Sequence, residues 1–125
     1  ARAWNHALDS GGAKNAGARW SDCMWPWESV KPSLADGILD DETYDWIGVC
    51  NQMADSGGSP IVVSEQHVVD AYSLAHKVTS INVSPTGTAG LAGLLAMRGD
   101  IADDERVVVV FSGVRRHFMP LPSMH

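Results

Sequence analysis

Val107-Val108-Val109-Val110-Phe111 is a continuous run of β-branched and aromatic side chains. A strand that is covered on both faces has this pattern, because the side chains on either face pack against a neighbouring layer. The run therefore predicts a buried strand in a parallel sheet.

Shorter apolar stretches and helical repeats alternate on the N-terminal side of this run. Residues 60–63 and 81–83 are predicted strands. Ser64 is the predicted cap of a helix between them, and Pro85 introduces a further helix. The resulting order β-α-β-α-β over residues 60–113 predicts an α/β protein, with a three-layer α/β/α arrangement around a parallel sheet.

The first 40 residues are irregular. Glycine and proline interrupt every candidate element there except a short helix over residues 2–8. Large apolar side chains in loop-like sequence usually cover a core or contact a partner. Three tryptophans lie in such sequence: Trp20, Trp25 and Trp27. We therefore expect two regions, an irregular tryptophan-rich segment over residues 1–40 and βα units over residues 41–125.

A helix is expected at the start of the second region. Asp40 and Asp41 supply a cap and a favourable charge for its N-terminus. Ser56-Gly57-Gly58 supplies a stop signal.

The charge of the chain argues against two classes of partner. Nine lysines and arginines stand against fifteen aspartates and glutamates, a formal charge of −6. Such a chain has no broad attraction to nucleic acid or to anionic lipid. No apolar run approaches the roughly 20 residues of a membrane span. We expect a soluble, cytoplasmic protein that binds neither nucleic acid nor membrane.

Cysteine and histidine give no indication of a metal site. The two cysteines, Cys23 and Cys50, have no pairing motif, and we expect free thiols in a reducing cytoplasm. The five histidines lack the spacing that would place two ligands on one helix face. We therefore expect no bound metal.

Two predicted strands end in hydroxyl-plus-glycine sequences, Ser84-Pro85-Thr86-Gly87 and Ser112-Gly113. In open α/β sheets the carboxyl ends of strands gather ligands, so these two segments could line one pocket. A nucleotide loop is disfavoured, because the glycine spacing matches neither common phosphate motif. A purely structural alternative stays open, in which the small residues only allow close helix packing.

The same segments carry a family resemblance. Pro60-Ile-Val-Val-Ser-Glu, Ser84-Pro-Thr-Gly-Thr-Ala-Gly and Arg106-Val-Val-Val-Val-Phe-Ser-Gly resemble, in this order, the C-terminal portion of the fold-type II pyridoxal-phosphate enzymes. These include threonine synthase, the serine/threonine dehydratases and the tryptophan synthase β subunit. Pro32-Ser-Leu-Ala-Asp-Gly37 resembles the Ala-Asp-Gly loop of the dehydratases. The resemblance covers residues 32–113, is closest to threonine-synthase-like members, and implies the C-terminal portion of their large α/β domain.

The resemblance implies roles for six residues. Ser112 matches the family's Ser or Thr whose hydroxyl binds the pyridine nitrogen of pyridoxal 5′-phosphate, and Gly113 would let the backbone pass close to the ring. Thr86 and Gly87 would line the cofactor pocket. Asp36 and Gly37 match a loop that faces the amino-acid substrate. No catalytic residue is implied within these 125 residues.

The family's cofactor-binding lysine and its glycine-rich phosphate loop have no match here. Lys31 stands at the wrong position in the family order and lacks the residues that should follow it. We therefore expect a C-terminal fragment that is inactive alone. The remaining N-terminal portion of the enzyme would be its partner, in the homodimer that the family usually forms.

The chemistry of the whole enzyme stays open between elimination and replacement. Dehydratases commonly carry Glu where this chain has Ser84, and end in Ser-Gly-Gly-Asn where it has Ser112-Gly113-Val114-Arg115. A serine/threonine dehydratase is thus one alternative to a threonine-synthase-like enzyme. The other alternative is a non-enzymatic α/β binding or assembly module, for which the tryptophans of residues 20–27 would be the contact segment.

Overall fold

The structure is a computed structural model that describes residues 1–15, 19–40 and 44–114. Its five α-helices in this part are α1 (Arg2–Asp9), α2 (Trp20–Cys23), α3 (Trp46–Ser56), α4 (Glu65–Val78) and α5 (Ala89–Ala96). Short 3-10 helices cover Ala13–Asn15, Asp36–Ile38, Thr86–Thr88 and Arg98–Asp100.

The predicted three-layer α/β/α fold with a parallel sheet is wrong, and so is the fold that the family resemblance implied. Among the residues that the structure describes, helices make up 53% and strand residues 2%, and no sheet is formed. The single bridge found in the described part joins Val83 to Val114, and it is antiparallel. The helices between the predicted strands are present, but within the described residues the three predicted strands are not paired with one another.

The valine run shows the physical reason. A strand is stable only when a neighbouring strand satisfies its backbone hydrogen bonds. Within the described part of the chain, residues 106–111 make no backbone hydrogen bond. Val108 is 88% exposed and Val110 is 70% exposed, so neither is covered by a layer. The side-chain pattern suits a sheet, but it cannot supply the partner.

The chain divides into two compact units, each made from two stretches of sequence. The first comprises Ala1–Val30 with Asp40–Val62, and the second comprises Lys31–Leu39 with Val63–His125, of which the structure describes residues up to 114. The two regions expected from the sequence are single stretches that meet at residue 40, and this division stays a prediction.

The first unit has a small core between α1, α2 and α3. Its buried residues are Trp4, Ala7, Ala13, Cys23, Trp46 and Cys50. Both cysteines are free thiols, and burial raises the pKa of Cys50. Of the tryptophans expected to cover a surface, Trp25 is half-buried under the guanidinium of Arg2, whereas Trp27 is 37% exposed. The side chain of Trp20 is outside the described part.

Local capping signals account for the ends of two helices. Gly57 ends α3 at φ 71°, the left-handed conformation that glycine adopts without strain. The Ser64 hydroxyl caps α4 by accepting a hydrogen bond from the backbone N–H of His67. Asp40 does not cap α3, which begins at Trp46, and Asp41 lies outside the described residues.

The second unit is built on the packing of α4 against α5. Its core consists of Ala35, Val68, Ala71 and Ala92, flanked by Leu34, Val63, Leu91 and Leu95. Within residues 1–15, 19–40 and 44–114, no helix has the length and hydropathy that crossing a membrane requires.

Candidate functional site

Two segments singled out in the sequence meet in the second unit. The backbone N–H of Ser84 donates to the carbonyl of Gly113 at 3.0 Å, and the N–H of Ser112 donates to the carbonyl of Gly87 at 3.3 Å. These bonds run in both directions between the segments. They hold the end of the valine run against the turn that precedes α5.

The turn at residues 84–88 is stabilised from within. The Ser84 hydroxyl accepts a hydrogen bond from the N–H of Gly87 at 3.0 Å, and the N–H of Thr88 donates to the Ser84 carbonyl at 3.1 Å. Thr88 is fully buried, and its hydroxyl donates to the Pro85 carbonyl at 2.8 Å. A buried hydroxyl that makes a hydrogen bond fixes the local backbone. The turn therefore holds the segments that contact it in place.

Glycine is required where the two segments cross. A Cβ at Gly87 would lie 2.3 Å from the carbonyl oxygen of Gly113 and 2.8 Å from its nitrogen. A Cβ at Gly113 would lie 2.9 Å from the Ser84 hydroxyl. Because the obstacle at Gly87 is backbone, a side chain there would push the segments apart.

Ser112 lies beside an open cleft of about 350 Å³. The cleft is lined by Ile81, Phe111, Ser112, Gly113 and Val114. Ser112 is exposed, and its hydroxyl makes no hydrogen bond to any residue in the described ranges. The arrangement therefore offers a ligand one free hydroxyl between apolar walls.

The Ala35-Asp36-Gly37 loop joins the same assembly. The N–H of Gly37 donates to the Thr86 hydroxyl at 3.1 Å, a contact between residues 49 apart in sequence. Asp36 is exposed, and its carboxylate has no partner in the part of the chain that the structure describes. All six residues expected at the site thus belong to one group of contacting segments, and two of them, Ser112 and Gly113, line the cleft.

No lysine joins this group. Lys14 pairs with Asp55 at 2.5 Å in the first unit. Lys31 and Lys77 are exposed, and neither makes a hydrogen bond or ion pair with a described residue. Residues 1–15, 19–40 and 44–114 contain no group of three or more histidine, cysteine, aspartate or glutamate side chains that could hold a metal ion. Arg115 lies outside the described residues.

Two contacts near the site were missed in the sequence. Glu65 accepts a hydrogen bond from the N–H of Leu34 at 2.6 Å, although its position after Ser64 suggests only a favourable charge at a helix N-terminus. The Ser84 hydroxyl supports its turn, which the spacing of a serine three residues before Gly87 could have indicated. No local signal predicts the bond of Glu65 to Leu34.

Comparisons of the chain with models of protein families, with curated proteins and with solved structures gave no match.

Proposed function

We propose that this chain is the part of a pyridoxal-phosphate-dependent lyase or synthase that contacts the pyridine end of the cofactor. The enzyme acts on an amino acid by elimination or replacement, as threonine synthase does. One observation carries the proposal. The turn at residues 84–88 and the Ser112-Gly113 segment are bonded together so that the Ser112 hydroxyl stands free at a cleft.

The residues of the cleft fit this end of the cofactor. A flat heteroaromatic ring needs apolar walls and one polar group at its nitrogen, and about 350 Å³ is within the size range of small-molecule sites. Ile81, Phe111 and Val114 supply apolar surface. Ser112 supplies the polar group, and Gly113 has no side chain to obstruct the ring.

The hydroxyl of Ser112 determines how the ring nitrogen is held. Pyridoxal phosphate, when bound, supplies an electron sink for carbanion chemistry on the amino acid. A hydroxyl can donate a hydrogen bond to the nitrogen, but unlike a carboxylate it does not keep a proton there. Ser112 would therefore moderate the electron sink, which suits elimination and replacement on the substrate side chain.

Asp36 and Gly37 would face the substrate. Asp36 presents an unpaired carboxylate, which suits the ammonium or hydroxyl groups of a small amino acid. The lysine and the phosphate loop have to come from the N-terminal portion of the enzyme, because no lysine here contacts the site. Assembly with that portion, a homodimer and a cytoplasmic location are parts of the same proposal.

The test is a titration of the chain with pyridoxal phosphate, followed by backbone amide NMR. We expect shifts at Ser112 and Gly113, with an affinity about fivefold weaker in Ser112→Ala and little changed in Ser112→Thr, because threonine keeps the hydroxyl. Borohydride reduction should label no single lysine. Equal affinities in all three proteins, or one specifically labelled lysine, would contradict the proposal.

The dehydratase alternative differs in reaction, and not in the residues that contact the cofactor. Assay of the intact gene product separates the two. Release of a keto acid from threonine indicates a dehydratase, and formation of threonine from phosphohomoserine indicates a synthase.

A second candidate function is a non-enzymatic binding or assembly module. The exposure of Val108 and Val110 favours it, since exposed apolar side chains that cluster are typical of interaction surfaces. The cofactor titration decides between the two, because a binding module gives no response at Ser112.

A further inference from the structure

The Asp36-Gly37 loop is held at two points. Upstream, the Glu65 carboxylate accepts the N–H of Leu34 at 2.6 Å. Downstream, the Thr86 hydroxyl accepts the N–H of Gly37 at 3.1 Å. Leu34 and Gly37 bracket Ala35 and Asp36, so both ends of this short loop are fixed to the rest of its unit.

The contact at Thr86 is close as well as polar. A Cβ at Gly37 would lie 2.8 Å from the Thr86 hydroxyl oxygen and 3.1 Å from its methyl carbon. The loop backbone therefore packs directly on the threonine side chain, which only glycine permits. Between the two fixed points Ala35 is fully buried, whereas Asp36 is exposed.

The support beneath Thr86 is firm. Thr86 lies in the turn that the hydroxyls of Ser84 and Thr88 stabilise, and the next residue, Gly87, contacts Gly113. The accepting lone pairs of Thr86 are directed at the loop, since its hydroxyl accepts from Gly37. Thr86 links the loop to the turn, and it is not among the residues that line the cleft at Ser112.

We propose that Thr86 is a positioning residue, which sets the place of the Asp36 carboxylate for an amino-acid substrate and does not itself contact the cofactor. This inference rests on the proposed function, and it moves Thr86 from the cofactor to the substrate side of the site. Glu65 holds the other end of the loop through Leu34, and we call the two hydrogen bonds, Leu34 to Glu65 and Gly37 to Thr86, the clamp.

The first arm of the test is amide hydrogen exchange in the 125-residue chain, without cofactor or substrate. Exchange rates report how often a hydrogen bond opens. Thr86→Val keeps the shape of the side chain but removes the acceptor, so exchange at Gly37 should become about fivefold faster. Thr86→Ser keeps the hydroxyl and should exchange like the wild type.

Exchange at Leu34 is the internal control, because Glu65 holds that amide independently. It should stay slow in Thr86→Val, which shows that the unit is still folded. Unchanged exchange at Gly37 in Thr86→Val, or exchange in Thr86→Ser as fast as in Thr86→Val, would overturn the clamp.

The second arm separates positioning from cofactor contact. Thr86→Val should leave the pyridoxal-phosphate-induced shifts of Ser112 and Gly113 as they are in the wild type, whereas Ser112→Ala should reduce them. A loss in Thr86→Val as large as in Ser112→Ala would overturn the positioning role. If the wild type shows no cofactor response, the proposed function fails, while the exchange result still decides the clamp.

Discussion

The turn at residues 84–88 and the segment at residues 106–111 belong to the same unit, but their backbones are in opposite situations. Within the turn, Ser84, Gly87 and Thr88 take part in hydrogen bonds. The turn is also hydrogen-bonded to Ser112 and Gly113. The valine segment, among the described residues, has no backbone hydrogen bond.

The difference teaches what each kind of segment needs. A turn satisfies its polar groups from side chains a few residues away, so its stability is local. A strand depends on a neighbour that its own sequence does not contain. The candidate site is therefore built on the turn with Ser112 and Gly113, and the valine segment contributes only Phe111. The following substitutions test this contrast.

The largest effect is expected at the glycine crossing. Gly87→Ala should lower the free energy of unfolding by about 3 kcal/mol, because the added Cβ meets the Gly113 backbone at 2.3 Å. Urea denaturation measures the change. Gly93→Ala is the matched control, since its Cβ would meet nothing within 4 Å and alanine favours helix, so α5 should gain up to roughly 1 kcal/mol. Equal losses at both glycines would contradict the close crossing.

Two valines test whether the valine segment is covered. Val83 is fully buried, so Val83→Thr should cost roughly 2 kcal/mol by burying a hydroxyl. Val108 is 88% exposed, and Val108→Thr should cost less than about 0.5 kcal/mol. Thermal unfolding of the two variants provides the comparison. A loss at Val108 as large as at Val83 would mean that the side chain of Val108 is covered.

The internal bonds of the turn should have a smaller effect. Thr88→Val keeps the shape but leaves the Pro85 carbonyl without the hydroxyl that donates to it, at a cost of about 1 kcal/mol. Thr86→Val in the same turn should cost less, because the Gly37 amide can turn to water. Urea midpoints that fall in the reverse order would show that the loop contact, and not the internal bond, stabilises the turn.

The smallest effect is expected at Glu28 in the first unit, when the pH is lowered. The pKa of Glu28 is held below its ordinary value of 4.5 by hydrogen bonds, first from its own backbone and then from Arg2 and Trp25. A carboxyl whose pKa is lowered by folding stabilises the folded state at any pH above the pKa that the carboxyl has in the unfolded chain. This contribution is lost as the pH falls through the folded value. Unfolding measured from pH 6 downward should show a slight loss below about pH 4.5, which Glu28→Gln should abolish. A loss of the same size in Glu28→Gln would exclude Glu28 as its source.

Local signals were sufficient for the start of α4 and the end of α3, but not for the start of α3. Ser64 at the start of α4 and Gly57 at the end of α3 act within one turn of themselves, so the sequence alone indicates them. Ser84-Gly87 and Ser112-Gly113 were expected to line one pocket at the edge of a sheet. The two segments are hydrogen-bonded, but the described residues form no sheet, and only Ser112 and Gly113 line the cleft.

Contacts over long separations could not be predicted. The bonds of Leu34 to Glu65 and of Gly37 to Thr86 join residues 31 and 49 apart, and neither pair has a local pattern. The valine run failed for the related reason that hydrophobicity identifies a strand-forming segment but not a partner strand.

The most direct test of the central proposal is the ¹⁵N resonance of the pyridine nitrogen in labelled pyridoxal phosphate. At saturation, a hydrogen bond from the Ser112 hydroxyl should place this resonance upfield of its position in the Ser112→Ala complex, and the Ser112→Thr complex should match the wild type. The same resonance position with all three proteins would contradict the contact.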